Sequence, residues 1–252
     1  MEYYDLGRNI TAFTTDRTIG RDASQLLAEL PVAARGLLYP HQTHTDSIAV
    51  IDAELLSLSA TEQKQRLEGV DAIISSERGI ALGISTADCI PVLIYDPVHH
   101  AAAAIHAGWK GTVRRIVEKT LDQMRQTYGT TASECTAAIG PGISIDSFEV
   151  GQEVVDIFLQ SGFEMHKFSR MYPPMKLDTN GMTMRPHIDL KEINRMQLLA
   201  KGVKAENITV SVIDTYTDLR FFSARREQQP PASDGTIVKC GRILSGFVLH
   251  AS

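Results

Sequence analysis

The chain has 252 residues, with 25 Lys plus Arg against 30 Asp plus Glu and a formal net charge of -5 at pH 7. That length suits one substantial domain, and a single domain over residues 1–252 is the expected organisation. The acidic balance without basic runs gives no electrostatic footprint for nucleic acid, and no apolar run reaches the length of a membrane span.

The opening MEYYDLGRNITAF lacks a basic region followed by an apolar core, so no secretory signal is expected. Three widely spaced cysteines, Cys89, Cys135 and Cys240, argue against a disulfide framework and for a reducing, cytoplasmic setting.

In chain order, residues 9–14 read as a strand and Asp22 to about Leu30 as a short helix with Leu26, Leu27 and Leu30 on one face. Pro40 then introduces HQTHTD, a break between strands where His41 and His44 can converge on a site, followed by a strand from Ser47 to Asp52. Residues 53–68 read as a polar, helix-prone surface excursion, and Asp71-Ala72-Ile73-Ile74 as a strand. The apolar runs Ile80–Ile84, Ile90–Tyr95 and Ala101–Ile105 are too short and too punctuated for helices, and are expected to form adjacent buried strands.

Thr112 is a good N-cap for a helix to about Tyr128, with Val113, Ile116, Val117, Leu121, Met124 and Tyr128 as its buried stripe. Cys135–Ile139 reads as a strand ending at Gly140-Pro141-Gly142, a turn whose N–H groups suit an oxyanion. Further elements are a helix at Gln152–Gln160, an irregular methionine-rich excursion at His166–Arg185, and a helix capped by Asp189 with Ile193, Met196 and Leu199/Ala200 inward. Strands at Ile208–Ile213 and Ile243–Leu249 complete the pattern.

The polar interruptions carry the chemistry. Thr86-Ala87-Asp88-Cys89 and His106-Ala107-Gly108-Trp109-Lys110-Gly111 place a thiol, a carboxylate, an imidazole and a lysine where apolar strands stop. Three readings follow from these residues alone. Two imidazoles and a thiolate bind zinc and leave a fourth position open, as in catalytic sites; or Cys89 is a nucleophile activated by His106; or Cys89 is a buried structural thiol.

The pieces HQTH, STADCIPVLIYD, AAIHAGWKGT, AAIGPGIS, FEVG, FFSARR and GR occur in this order over most of the chain. Together they resemble the bacterial YfiH family, also called the laccase-domain, polyphenol oxidase or purine nucleoside phosphorylase family, which includes FAMIN. The resemblance implies an α+β fold with β-sheets packed between helices, and a metal site of His44, Cys89 and His106 holding zinc, with copper as the alternative. It also implies purine nucleosides and phosphate as the molecules bound.

The activity implied is phosphorolysis of adenosine, inosine, guanosine and methylthioadenosine to free base plus the (methylthio)ribose-1-phosphate, alongside adenosine deamination. In deamination zinc-bound hydroxide would attack C6, with Cys89 and His106 at the reacting centre and Asp88 as the proton shuttle; Glu149 is a second candidate for that role. Phosphorolysis calls for cations, and Arg225, Arg226 and Lys110 suit phosphate, one of the two arginines facing inward if they lie on a strand. His41 is placed beside the metal, in contact with substrate.

The alternatives are a copper polyphenol oxidase, poorly served by eight histidines without an H-x-H pair, and a cysteine hydrolase or peptidoglycan-precursor editing protein. Trp109 reads as a packing residue and Cys135 and Cys240 as structural. The chain departs from the family pattern at Thr45, where Gly is usual, at Asp214, where Cys is usual, and in a shortened loop at residues 14–23, all of which bear on substrate recognition.

Overall fold

The computed structural model describes residues 1–174, 184–227 and 240–251. The first half runs β1 (Glu2–Tyr4), β2 (Ile10–Thr14), α1 (Ala23–Glu29), β3 (Leu37–Leu38), β4 (Ile48–Ile51), α2 (Ala53–Ser57), α3 (Ala60–Arg66), β5 (Ala72–Ser75), β6 (Ala81–Thr86), β7 (Ile90–Asp96) and β8 (Ala101–Ala107). The second half runs α4 (Trp109–Val113), α5 (Ile116–Tyr128), β9 (Thr136–Ile139), α6 (Gln152–Gln160), β10 (Ser169–Tyr172), β11 (Arg185–Ile188), α7 (Leu190–Ala200), β12 (Ile208–Val210), α8 (Ala224–Glu227) and β13 (Ile243–Leu249).

Two sheets stack face to face. One has strand order β1-β2-β13-β6-β3 and the other β12-β9-β7-β8-β5-β4, with β10 and β11 forming a separate hairpin. Side chains alternate faces along each strand, which sorts the core into three sets. Leu82, Ile84 and Phe247 meet Leu93, Tyr95, Ala102 and Ala104 between the sheets. Val92, Ile94, Ala103 and Ile105 point the other way, onto Val117, Leu121 and Met124 of α5 and Ile193 of α7. Phe13, Ala81 and Val248 cover Leu26 and Leu30 at the outer face of the first sheet. The result is helix, sheet, sheet, helix, the α+β layering expected.

Close approach explains the small residues. β8 is fully buried, and Ala101–Ala104 keep it thin enough for a second sheet on one face and α5 on the other. Gly83 faces Gly246 across the β6–β13 ladder, where a Cβ at Gly246 would fall 2.2 Å from the Leu82 carbonyl oxygen.

Several expectations need correcting. β6 does not lie beside β7 and β8: it pairs with β13 and β3 in the other sheet, and residues 87–89 carry the chain across from one sheet to the next. All three strands are buried on both faces, so hydrophobicity cannot tell neighbours in one sheet from partners across the sandwich. The helix expected from Thr112 is broken, because Arg115 takes a left-handed φ of 62° between α4 and α5. Gly108, not Thr112, is the N-cap of α4, and Thr112 is buried, its hydroxyl contacting Asn194 of α7.

Met196 is 39% exposed, and Asn194 and Gln197 are buried in its place. The last strand before the Arg225 region ends at Val210, not Ile213. The excursion at His166–Arg185 contains β10, which pairs antiparallel with β11 beginning at its last residue, while its residues 175–183 lie outside those described. No helix among the described residues is long and apolar enough to cross a membrane.

Candidate functional site

Strand register assembles the site at one end of the second sheet. Pro91 of β7 pairs with His106 of β8, and Ile90 with Ala107, so Cys89, one residue before β7, comes opposite Gly108. Ala72 of β5 pairs with Ile105, and the next step along that ladder sets Asp71 against His106, whose N–H donates to the Asp71 carbonyl at 2.8 Å. The loop carrying His44 is clamped onto the edge of β6 by Gln42, whose amide donates to Ser85 O and accepts from Ser85 N, both at 2.8 Å.

His44, Cys89 and His106 meet there. Their ligating atoms lie within 4.8 Å of one another, with Cys89 Sγ 3.7 Å from His44 Nε2 and the two imidazoles edge-on at 4.9 Å between centroids. The trio is the single group of three His, Cys, Asp or Glu residues with metal-ligand spacing among the described residues.

A tetrahedral ion with bonds of about 2.0–2.3 Å would close this spacing with small side-chain movements. Gly108 makes room for the donors, since a Cβ there would stand 3.0 Å from Cys89 Sγ and 3.1 Å from His44 Cδ2. Two nitrogens and a sulfur are a set suited to zinc, and copper also binds such donors.

Asp71, read from the sequence only as part of a strand, organises the trio. Its buried carboxylate accepts the Nδ1 proton of His106 at 2.6 Å, leaving Nε2 for a ligand. The same carboxylate accepts the consecutive backbone N–H groups of Thr43, His44 and Thr45 at 3.2, 3.0 and 2.8 Å. Such a nest accounts for the left-handed φ of 62° at His44. Thr45, one of the departures, joins it: its hydroxyl lies 2.8 Å from the Asp71 carboxylate and 2.6 Å from Gly69 O.

Electrostatics in the trio follow from contact. Burial raises the Cys89 thiol, but the adjacent imidazoles, His106 above all, outweigh it and bring it down to about 6. Burial opposes protonation of His106, yet Cys89 and Asp71 push it up to about 9.

The other expected residues fall into different places. Asp88 holds a left-handed φ of 83°, and its carboxylate accepts from Thr215 Oγ1 at 2.7 Å, Ser223 Oγ at 3.0 Å and the Arg225 backbone N–H at 2.7 Å. His41 lines the cavity beside the trio and donates Nδ1–H to Glu68 at 2.6 Å. Arg225 also lines it, donating to Glu149 O at 2.8 Å.

Arg226 turns away, its guanidinium donating to the carbonyls of Thr215, Tyr216 and Phe221. The two arginines lie on α8 rather than on a strand, so alternation is not what separates them. Lys110 lies outside the cavity wall, with Nζ 5.7 Å from the centroid of the half-buried Trp109. The Gly140-Pro141-Gly142 turn is a buttress: the N–H of Gly140 donates to Pro91 O and that of Ile143 to Asp88 O, both at 2.9 Å. Arg114, missed as a contributor, donates to His44 O at 3.2 Å.

The trio opens into a cavity of about 1060 Å³ with an apolar wall of Leu37, Leu38, Pro40 and Phe148, and with Tyr39, Cys240 and further arginines on its border. Room, apolar side chains for a ring and polar groups that include the trio suit a small molecule with apolar and polar parts.

Comparison with known proteins places this geometry. Residues 6–249 match the family model described as multi-copper polyphenol oxidoreductase laccase. The chain belongs to this laccase-type family. Among laccase-type relatives, a protein of Bacteroides thetaiotaomicron named purine nucleoside phosphorylase is 42% identical over 245 residues, covering 96% of this chain and 84% of its own length. A protein from an unknown prokaryotic organism named adenosine deaminase RL5 is 40% identical over 207 residues, covering 81% and 76%.

The fold is shared with two solved structures, each 24% identical: YlmD from Geobacillus stearothermophilus, with a TM-score of 0.75 over 96% of this chain and 93% of that one, and YfiH from Bacillus licheniformis, with a TM-score of 0.73 over 95% and 92%.

Proposed function

We propose that this laccase-type chain is a zinc-dependent purine nucleoside enzyme. Its reactions are phosphorolysis of adenosine, inosine and guanosine to free base plus ribose-1-phosphate, phosphorolysis of methylthioadenosine to adenine plus methylthioribose-1-phosphate, and deamination of adenosine. The observation that carries the reading is the His44, Cys89 and His106 cluster at the end of a nucleoside-sized cavity, in a chain 42% identical to a relative named purine nucleoside phosphorylase. Residues 6–249 fall under one family model, which supports reading the chain as a single domain, and the three unpaired cysteines suit the cytoplasm.

Zinc, held by His44, Cys89 and His106, would supply Lewis acidity toward a polar substrate atom. Asp71 keeps His106 in the tautomer that frees Nε2 and fixes His44 through the backbone nest. The purine would lie against Leu37, Leu38, Pro40 and Phe148, with His41 at its polar edge and its Nδ1 proton held by Glu68. Arg225 presents its guanidinium to the same cavity, a planar fork matched to phosphate oxygens. Asp88, with three donors on its carboxylate, acts here by fixing the Cys89 turn against α8.

The copper oxidase alternative needs several metal centres, and the described residues offer one three-residue cluster.

The test is incubation of metal-quantified wild type and Cys89→Ala with adenosine and inosine, with and without phosphate, followed by chromatography. Phosphate-dependent free base that disappears in the variant, with about one zinc per chain in wild type, is the expected result. Bound zinc with no nucleoside consumed under any condition would refute the reading and direct attention to precursor binding or cysteine-dependent hydrolysis.

A further inference from the structure

Three arginines border the cavity: Arg21, Arg225 and Arg242. They come from the turn before α1, from α8 and from the residue before β13; Arg225 and Arg242 adjoin the turn that carries Cys89, and the Arg21 turn is joined to β13. Arg225 donates its backbone N–H to Asp88 at 2.7 Å. Ile243 pairs with Thr86, so Arg242, one step further on the antiparallel ladder, comes opposite Ala87. The turn holding Arg21 is stitched to the same strand: Thr15 N donates to Leu244 O and Leu244 N to Thr15 Oγ1, both at 2.8 Å. Gly20 itself lies against the Arg242 carbonyl, so close that an added Cβ would be 3.2 Å away.

The pairing of these arginines differs from that of their neighbours. On the same segments, Arg17 and Arg226 are paired with Glu227, and Arg220 with Glu2 and Asp218. The three on the cavity wall have no carboxylate partner among the described residues: Arg225 bonds Glu149 O, Arg242 the carbonyls of Cys240 and Gly241, and Arg21 lies near the Tyr39 ring. Asp88, the one carboxylate on the cavity wall among the described residues, already holds three donors. In a chain of net charge -5, three arginines without acidic partners among the described residues, with Lys64 also on the cavity wall, concentrate positive potential there.

We propose that Arg21 and Arg242, together with Arg225, form an oxyanion subsite that binds a phosphate group in the same cavity as the His44, Cys89 and His106 cluster. Guanidinium forks match phosphate oxygens in pairs, and carbonyl-held arginines keep their charge for the ligand. The phosphate has two sources, free inorganic phosphate beside a nucleoside or the phosphate ester of a nucleotide. The choice of the first rests on the phosphorolysis reading; the subsite itself does not.

Calorimetric titration of the metal-loaded protein with inorganic phosphate, adenosine and adenosine 5′-monophosphate tests this, using Arg21→Gln, Arg242→Gln and, as a surface control, Arg125→Gln. The expected result is phosphate binding that weakens about tenfold or more in either cavity variant and is unchanged in the control. The Arg21 side chain makes no hydrogen bond among the described residues, so its variant remains informative even if Arg242→Gln disturbs the start of β13. Adenosine binding undisturbed by saturating phosphate assigns the subsite to the free anion. Tighter binding of the monophosphate than of adenosine, competed by phosphate, assigns it to the ester.

Wild type that ignores both phosphate and the monophosphate, or cavity variants that bind like wild type, would overturn the proposal. Arginine-dependent phosphate binding without nucleoside turnover would refute phosphorolysis and leave the subsite standing. Phosphate-dependent turnover with an unchanged KM for phosphate in both variants would do the reverse.

Discussion

The Asp71 carboxylate holds His106 by its side chain, at 2.6 Å, and His44 by its backbone N–H, at 3.0 Å. One buried acid therefore sets the orientation of two of the three proposed metal ligands. Asp71→Asn keeps the shape but puts a donor where five donors converge. Metal affinity should fall about 10–100-fold, read by competition with a chromophoric chelator. An unchanged affinity would mean that packing alone orients the imidazoles.

Gly108 offers a cleaner way to disturb the trio. Its φ of -67° and ψ of 165° are open to alanine, so Gly108→Ala should change stability by no more than about 1 kcal/mol. The new methyl would nevertheless press on Cys89 Sγ and His44 Cδ2, at 3.0 and 3.1 Å. Metal content after dialysis should drop sharply while the circular dichroism spectrum is retained. Retention of metal would place the bound ion away from this cradle.

A different glycine tests the stacking of β6 and β13. A Cβ at Gly246 would fall 2.2 Å from Leu82 O, backbone against backbone, with no flexible side chain to yield. Gly246→Ala should cost about 1–3 kcal/mol, lowering Tm by about 2–4 °C per kcal/mol for a chain of this size. Calorimetry on the metal-free protein isolates that term from metal binding.

Lys191 sets a pH dependence. It is buried, its Nζ donating to Ser211 O at 2.9 Å and Ile213 O at 2.6 Å; burial pulls its ammonium down to about 8 from the ordinary 10.5, against the opposite pull of Asp214 and Asp189. Between pH 8 and 10.5 the unfolded chain therefore binds more protons than the folded one, and stability due to this group rises with pH. Below pH 8 the cost of the buried charge is fully present. Urea midpoints measured across this range should climb relative to those of Lys191→Met; parallel curves would exclude Lys191 as the source.

Much of the layering was legible because strand and helix periods differ: Gln152–Gln160 and Ile243–Leu249 lie where the pattern sets them. The trio of His44, Cys89 and His106 came from the family resemblance: thiol and imidazole at strand ends marked a site, but left Cys89 as a ligand, a nucleophile or a structural thiol until register brought the three side chains together. Asp71 was not, since one carboxylate at the start of an apolar strand looks like any turn residue until register brings it opposite His106. Nor was the break at Arg115, where Val113, Ile116 and Val117 keep a helical spacing through a residue that leaves the helix. The fates of Arg225 and Arg226 depended on α8, a four-residue helix with too few residues to show a period.

The crossing from β6 to β7 has a consequence for the chain as a polymer. His44 is 45 positions from Cys89, and Cys89 sits on the covalent passage between the two stacked sheets. An ion shared by these residues would close a long loop as a removable cross-link that lasts only while the folded ligand set is in place. Cofactor loading and mechanical integrity of the sandwich edge would then be a single variable, so that the metal-free protein opens first where β6 passes into β7.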